Sequence, residues 1–244
     1  MKLSCSGLSV AGRPAPNQDC VGFWQEETGE GGAVAVVADG VGGLWAGELA
    51  SRLAVETALK AFGESPWDMP LRQRLLELFR AANDAVYRKG LEPGSPGPMA
   101  TTLAAAVFGG REMAVGNVGD SRVYLVHRGL ITQLSVDHSV VGLQRRFGHI
   151  TETQLRSSPH RNLITRGVGV APSVEVDMDQ VPVFAGDRVV LCSDGLYGCV
   201  ADAEIVRAVE TLTPEAACRQ LVALAVGRGA DDDVSVQVVE VIEV

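Results

Sequence analysis

The sequence predicts an α+β fold in which two packed, mainly antiparallel sheets carry helices on their outer faces. Runs such as Ala33-Val34-Ala35-Val36-Val37-Ala38 and Val189-Val190-Leu191-Cys192 are short, apolar and rich in Val, as strands covered on both faces are. Residues 101–108, 113–118 and 123–127 read as three consecutive strands with short links, a pattern that fits antiparallel pairing and not alternating βαβ units. Residues 45–62 and 71–86 space their apolar side chains as amphipathic helices do. The acidic residues fall at strand ends and not on helix faces, which places a carboxylate site at one edge of the layers.

In chain order, residues 2–10 alternate loosely and read as an edge strand. The loop 11–16 follows, where Pro14 and Pro16 exclude regular ladder pairing. Asn17-Gln18-Asp19 opens a second strand at 20–25. Arg13 has the planar fork of donors that suits a phosphate, and Asp19 could order water on a metal; a surface arginine and a turn aspartate are the plainer readings.

The third strand, 33–38, runs into Asp39-Gly40-Val41-Gly42-Gly43. Here the Asp39 carboxylate emerges beside glycines that let an ion approach main-chain carbonyls. An Asp-Gly turn alone would explain this stretch. The pattern recurs, however, at Ser193-Asp194-Gly195, at Gly119-Asp120-Ser121 and at Asp231-Asp232-Asp233 before the strand 234–241.

Ser65-Pro66 reads as the start of the second helix, which Gly90 ends, and residues 91–98 read as a loop. Gly109-Gly110 is the expected hairpin connection between 101–108 and 113–118. Asp137 is the expected N-cap of a helix at 140–147 closed by Gly148. His138 reads either as an acid or ligand or as a first-turn surface histidine. Residues 150–162 are polar and irregular, either a flap beside a site or a surface excursion. Asp202 and Thr213-Pro214 start the last two helices.

With 244 residues, 46% of them hydrophobic, and no long Pro/Gly/Ser linker, residues 1–244 read as one domain. A formal net charge of −9 argues against nucleic acid and against an anionic membrane surface as partners. Five dispersed cysteines without a C-x-x-C pair indicate neither a disulfide framework nor a zinc site. There is no apolar run of membrane-spanning length and no signal-peptide pattern, so the expected compartment is the cytoplasm.

Carboxylates gathered without cations repel one another, so such a cluster suits hard divalent ions. Two magnesium or manganese ions sharing an aspartate would make a hydroxide nucleophile from water, and the matching chemistry is hydrolysis of a phosphate ester.

Asn17-Gln18-Asp19, Asp39-Gly40-Val41-Gly42-Gly43, Ala100-Thr101-Thr102, Gly119-Asp120-Ser121-Arg122, Asp137-His138-Ser139, Ser193-Asp194-Gly195-Leu196 and Asp232-Asp233-Val234-Ser235 together resemble the ordered motifs of the PP2C-type, or PPM, metal-dependent protein serine/threonine phosphatases, in their compact bacterial form. The resemblance implies an α-β-β-α sandwich and a Mn²⁺ or Mg²⁺ centre of two ions, with a third in many bacterial members. It implies that Asp39 bridges the ions, that the Gly40 carbonyl meets one, that Asp194 and Asp232 bind the other, and that Asp19 fixes water there. Asp120, with Asp194, matches the third-ion site. Arg13 matches the arginine that holds the substrate phosphate, although three residues separate it from Asn17 where the family usually has two. Residues 139–166 match a substrate-contacting flap.

Val41 stands where animal members often place a histidine, which leaves the general acid to a metal-bound water, His138 or His160. Asp233 replaces the usual asparagine and would add charge or a ligand. The implied function is hydrolysis of phosphoserine and phosphothreonine on proteins by a metal-bridged hydroxide, opposing a serine/threonine kinase, in a monomer. The alternatives are a regulatory phosphatase of anti-anti-sigma-like proteins and a non-catalytic phosphoprotein-binding module.

Overall fold

The computed structural model describes residues 1–12, 16–26, 32–41, 46–151, 154, 158, 160 and 163–244. Arg13, Gly42, Gly43 and much of the 150–162 stretch lie outside them.

Two antiparallel sheets form the centre of the fold. The first is ordered β1 (Lys2–Val10), β11 (Val234–Glu243), β10 (Arg188–Cys192), β7 (Arg122–His127), β8 (Leu130–Gln133). The second is ordered β2 (Asp19–Gln25), β3 (Ala33–Val41), β5 (Leu103–Gly109), β6 (Glu112–Val118), β9 (Asp177–Pro182), with the short β4 (Ala100–Thr101) on β3. The expected sandwich is therefore present, and the 2–10 segment is an edge strand.

Apolar alternation explains the layering. Ala35, Val37, Ala104, Phe108, Val189, Leu191 and Val239 meet between the sheets. The opposite face of β3 and β5, through Val34, Val36, Ala105 and Val107, packs on helices α1 (Ala46–Glu64) and α2 (Leu71–Leu91). On the far side Val190, Val236 and Val238 pack against Leu196, Ile205, Ala208 and Leu221. Those residues come from α4 (Asp194–Tyr197), α5 (Asp202–Thr211) and α6 (Pro214–Gly227). A strand buried on both faces must be apolar throughout, as β3 is up to Ala38.

Four local expectations are corrected. The third strand does not stop at Ala38: it continues through Asp39 and Gly40 to Val41, because Gly40 and Val41 pair with Thr101 and Ala100 of β4. The second helix starts after Pro70 and not at Ser65, whose hydroxyl closes α1 by donating to the Phe62 carbonyl at 2.6 Å. The β5–β6 turn is Gly110-Arg111, since Gly109 pairs with Glu112 and Gly110 takes φ +61°. The helix α3 (Val140–Arg146) is capped by Ser139, whose Oγ accepts the Gly142 N–H at 3.1 Å, and not by Asp137.

Candidate metal centre

Antiparallel order brings the acids to one edge of the sandwich. In the first sheet β11 and β7 begin where β1 and β10 end, as the Ser9–Ser235 and Cys192–Arg122 pairings show. In the second, Asp19 at the start of β2 is the register partner of Asp39 near the end of β3. Asp120 follows β6, Asp194 follows β10 and Asp232 precedes β11. Thus Asp19, Asp39, Asp120, Asp194 and Asp232, far apart in sequence, converge.

Their electrostatics record that convergence. Desolvation, followed by repulsion from Asp19, Asp194, Asp120 and Asp232, raises the Asp39 pKa well above the ordinary carboxylate value. Asp120 is raised chiefly by burial and then by Asp194, and Asp19 is raised by burial against the opposing hydrogen bond from Ser193. Asp19 Oδ1 and Asp120 Oδ2 are buried with no hydrogen-bond partner among the described residues. Mutually repelling carboxylates with orphaned buried oxygens, beside the main-chain carbonyl of Gly40, are a donor set for hard, oxygen-seeking divalent cations. The residues therefore fit the ions that the sequence implies.

Surrounding hydroxyls hold Asp39 and Asp19 in place and brace the turn that bears Asp120. The Asp39 N–H donates to Thr102 Oγ1 at 2.8 Å, and the Asp39 carbonyl accepts from the Thr101 hydroxyl at 2.9 Å and the Thr102 N–H at 2.8 Å. Thr102 Oγ1 lies 2.7 Å from Ser121 Oγ, which joins the Asp39 strand to the turn that bears Asp120. Ser193 Oγ donates to Asp19 Oδ2 at 2.6 Å and accepts the Ser235 N–H at 3.0 Å. Asn17 accepts the Asp19 N–H at 3.0 Å and donates to Ser9 Oγ at 2.7 Å, which also pairs with Ser235 Oγ at 2.7 Å.

Close backbone approach explains the glycines at Gly40 and Gly47. A Cβ on Gly40 would lie 2.1 Å from the Gly47 carbonyl oxygen, and one on Gly47 would lie 2.9 Å from the Gly40 carbonyl oxygen. A side chain at either position would push the start of α1 away from the centre.

Asp233 adds charge beside the centre, since its repulsion helps raise Asp19, and it has a second role that its sequence position did not suggest. Its Oδ2 accepts the Gln18 N–H at 2.7 Å and its Oδ1 accepts the Gly12 N–H at 3.1 Å, so it clamps both ends of the loop between β1 and β2. Asp233→Ala strands these two donors and is expected to lower stability by about 1–3 kcal/mol. Asp233→Asn, which keeps an acceptor, is expected to lose less. Calorimetric melts of both variants test this, and equal melting temperatures for wild type and Asp233→Ala would rule out the clamp.

His138 is not placed as an acid. It is buried, its Nδ1 accepts the Gly119 N–H at 3.2 Å, and its Nε2 lies 3.3 Å from Asp177 Oδ2. His160 is exposed. Arg13 lies outside the described residues. Sequence reasoning assigned no role to the hydroxyls of Thr101, Thr102, Ser121, Ser193 and Ser235 or to Asn17, although each stands next to or near an acid within the quoted motifs.

No described helix is long and apolar enough to cross a membrane. The protein phosphatase 2C family model matches residues 6–241. The serine/threonine phosphatase stp of Listeria innocua is 32% identical over 230 residues, which cover 92% of this chain and 90% of that protein. The serine/threonine protein phosphatase PstP of Mycobacterium tuberculosis is 35% identical over 214 residues, which cover 87% of this chain and 41% of PstP. The crystal structure of the catalytic domain of PstP in complex with two manganese ions superposes with a TM-score of 0.85 at 32% identity, covering 99% of each chain. With the fold, the convergent carboxylates and the family match spanning nearly its whole length, the chain belongs to the protein phosphatase 2C family, the metal-dependent serine/threonine protein phosphatases.

Proposed function

We propose that this chain, as one domain, hydrolyses phosphoserine and phosphothreonine on proteins at a Mn²⁺ or Mg²⁺ centre held by Asp39, the Gly40 carbonyl, Asp19, Asp194 and Asp232, with Asp120 available to a further ion. The observation that supports it is the set of mutually repelling carboxylates around the Asp19–Asp39 register pair, with orphaned buried oxygens on Asp19 and Asp120. The relatives named as serine/threonine phosphatases support the substrate class.

When bound, the ions supply Lewis acidity toward phosphoryl oxygens and a nucleophile from water near neutral pH. Asp39 is pinned at its own backbone by Thr101 and Thr102, so its carboxylate is presented at a fixed place between the two sheets. Ser193 holds one Asp19 oxygen and leaves the other available. Gly40 and Gly47 keep the main chain clear of side chains at the Gly40 carbonyl. Arg13 is proposed as the phosphate-holding residue on the sequence match. His138, with both ring nitrogens engaged, does not protonate the leaving serine or threonine oxygen. An opposing serine/threonine kinase follows from the reaction, since the substrate must first be phosphorylated.

Release of phosphate from a phosphothreonine peptide and hydrolysis of p-nitrophenyl phosphate are expected with Mn²⁺ or Mg²⁺ and not with EDTA. Turnover that persists in EDTA would refute the metal centre. Inactivity with both ions would make the chain a phosphoprotein-binding module.

A further inference from the structure

Outside the carboxylate cluster, a chain of contacts leads from Arg166 to the turn that bears Asp120. Because His138 Nδ1 accepts the Gly119 N–H, its proton sits on Nε2 and is directed to Asp177 Oδ2 at 3.3 Å. Arg166 Nη1 donates to the other oxygen of Asp177 at 2.7 Å, and its Nη2 lies 3.5 Å from Glu175. Asp177 is thus gripped by two donors, and the imidazole stands as a spacer between it and Gly119.

The backbone doubles the link. The His138 N–H donates to the Gly119 carbonyl at 2.9 Å, and the Thr165 N–H donates to the His138 carbonyl at 2.7 Å. Gly119 itself takes φ +100°, and a Cβ there would lie 2.6 Å from Thr102 Cβ, so only glycine lets the turn approach the threonine that holds Asp39 this closely. Asn117 reinforces it by donating to the Val136 carbonyl at 2.6 Å and accepting the Val136 N–H at 3.1 Å. The next residue is Asp120, buried, with an orphaned Oδ2.

We propose that His138, Asp177 and Arg166 form a positioning strut that sets the Asp120 carboxylate for a divalent ion and couples it to the end of the 139–166 segment. A hydrogen-bonded support of this kind fixes a ligand's orientation and governs affinity without touching the ion. The strut rests on the carboxylate-centre reading above.

The test is Mn²⁺ titration calorimetry on the whole chain, with wild type, Asp177→Ala, Asp177→Glu and Asp120→Ala compared beside their metal-free melting curves. In wild type a weakest Mn²⁺ step is expected that Asp120→Ala removes. Asp177→Ala is expected to weaken that same step at least about 10-fold, the lower end of supporting-shell effects, and to leave the tighter steps unchanged. Asp177→Glu, which restores an acceptor for both donors, is expected to recover part of the loss. Uniform weakening of all steps, or a lower melting temperature with unchanged Mn²⁺ binding, would reduce the strut to ordinary structural support and overturn it. A wild-type chain with only two steps would overturn it while leaving the phosphatase reading intact, and one that binds no Mn²⁺ would overturn both.

Discussion

Asp39→Asn is expected to abolish phosphate release, by more than about 100-fold, while the protein stays folded. Loss of a supporting partner around a metal already costs about 10- to 100-fold, so loss of the carboxylate most crowded by its neighbours should exceed that. The Asn side chain preserves shape, and the Thr101 and Thr102 contacts that position residue 39 go to its backbone and survive the change. Without metal, Asp39 is raised above its ordinary pKa by desolvation and then by Asp19, Asp194, Asp120 and Asp232, so the folded chain binds a proton where the unfolded chain has released it.

The sign follows from linkage. The stability contributed by Asp19, Asp39 and Asp120 in the metal-free protein is fully present below the ordinary carboxylate range and is lost as pH rises through their raised folded-state values. Metal-free Asp39→Asn should therefore melt higher than wild type at pH 8, with the difference shrinking toward pH 4. Mn²⁺ should raise the wild-type melting temperature at pH 8, by an amount equivalent to about 2.7 kcal/mol at a concentration 100 times its dissociation constant. Melting curves in EDTA and in Mn²⁺ at the two pH values read all of this. A variant that keeps more than a tenth of wild-type turnover, or that melts below wild type in EDTA at pH 8, would contradict the centre.

The second large effect concerns stability. Arg122 is buried on β7, with Nε 3.0 Å from Asp137 Oδ1 and Nη2 2.7 Å from Asp137 Oδ2. Its Nη1 donates to Tyr124 Oη at 2.9 Å, and its guanidinium lies 3.7 Å from the centroid of the Tyr197 ring. Asp137 also accepts from Gln133 Nε2 at 2.7 Å.

Removing one partner takes from the other its close bidentate counter-charge in a buried setting, although Arg145 Nη1 stays 3.7 Å from Asp137 Oδ2. Arg122→Met or Asp137→Leu alone is expected to destabilise the chain by roughly 3–5 kcal/mol. In a protein of this size that lowers the melting temperature by roughly 6–20 °C. The double substitution removes both charges and is expected to recover most of the loss. Thermal melts of the single and double variants complete the cycle. Single variants within 2 °C of wild type, or a double variant worse than either, would show that the pair is not the buried ionic unit the geometry implies.

Burial on both faces is visible in a sequence because it demands unbroken apolar runs, and for that reason the strands around Val34–Val37 and Val189–Leu191 could be read directly. Strand-end aspartates flanked by glycine were equally legible, since hydrophobic residues give way there to groups that a core would exclude. β8 and β9 were not legible: Leu130–Gln133 and Asp177–Pro182 are edge strands, and their exposed positions carry no apolar alternation.

Residue type and order determined the sandwich class, the five acids and the phosphoester chemistry they fit. Only the tertiary structure decided which polar side chains serve those acids. Asp137 and Asp233 look alike in sequence to a helix cap and a ligand, yet one neutralises Arg122 and the other clamps the Gly12 and Gln18 amides. A carboxylate's role is set by the donors that reach it within about 3 Å. Those donors lie up to 221 residues away in sequence and are brought to their acceptors only when the sheets form.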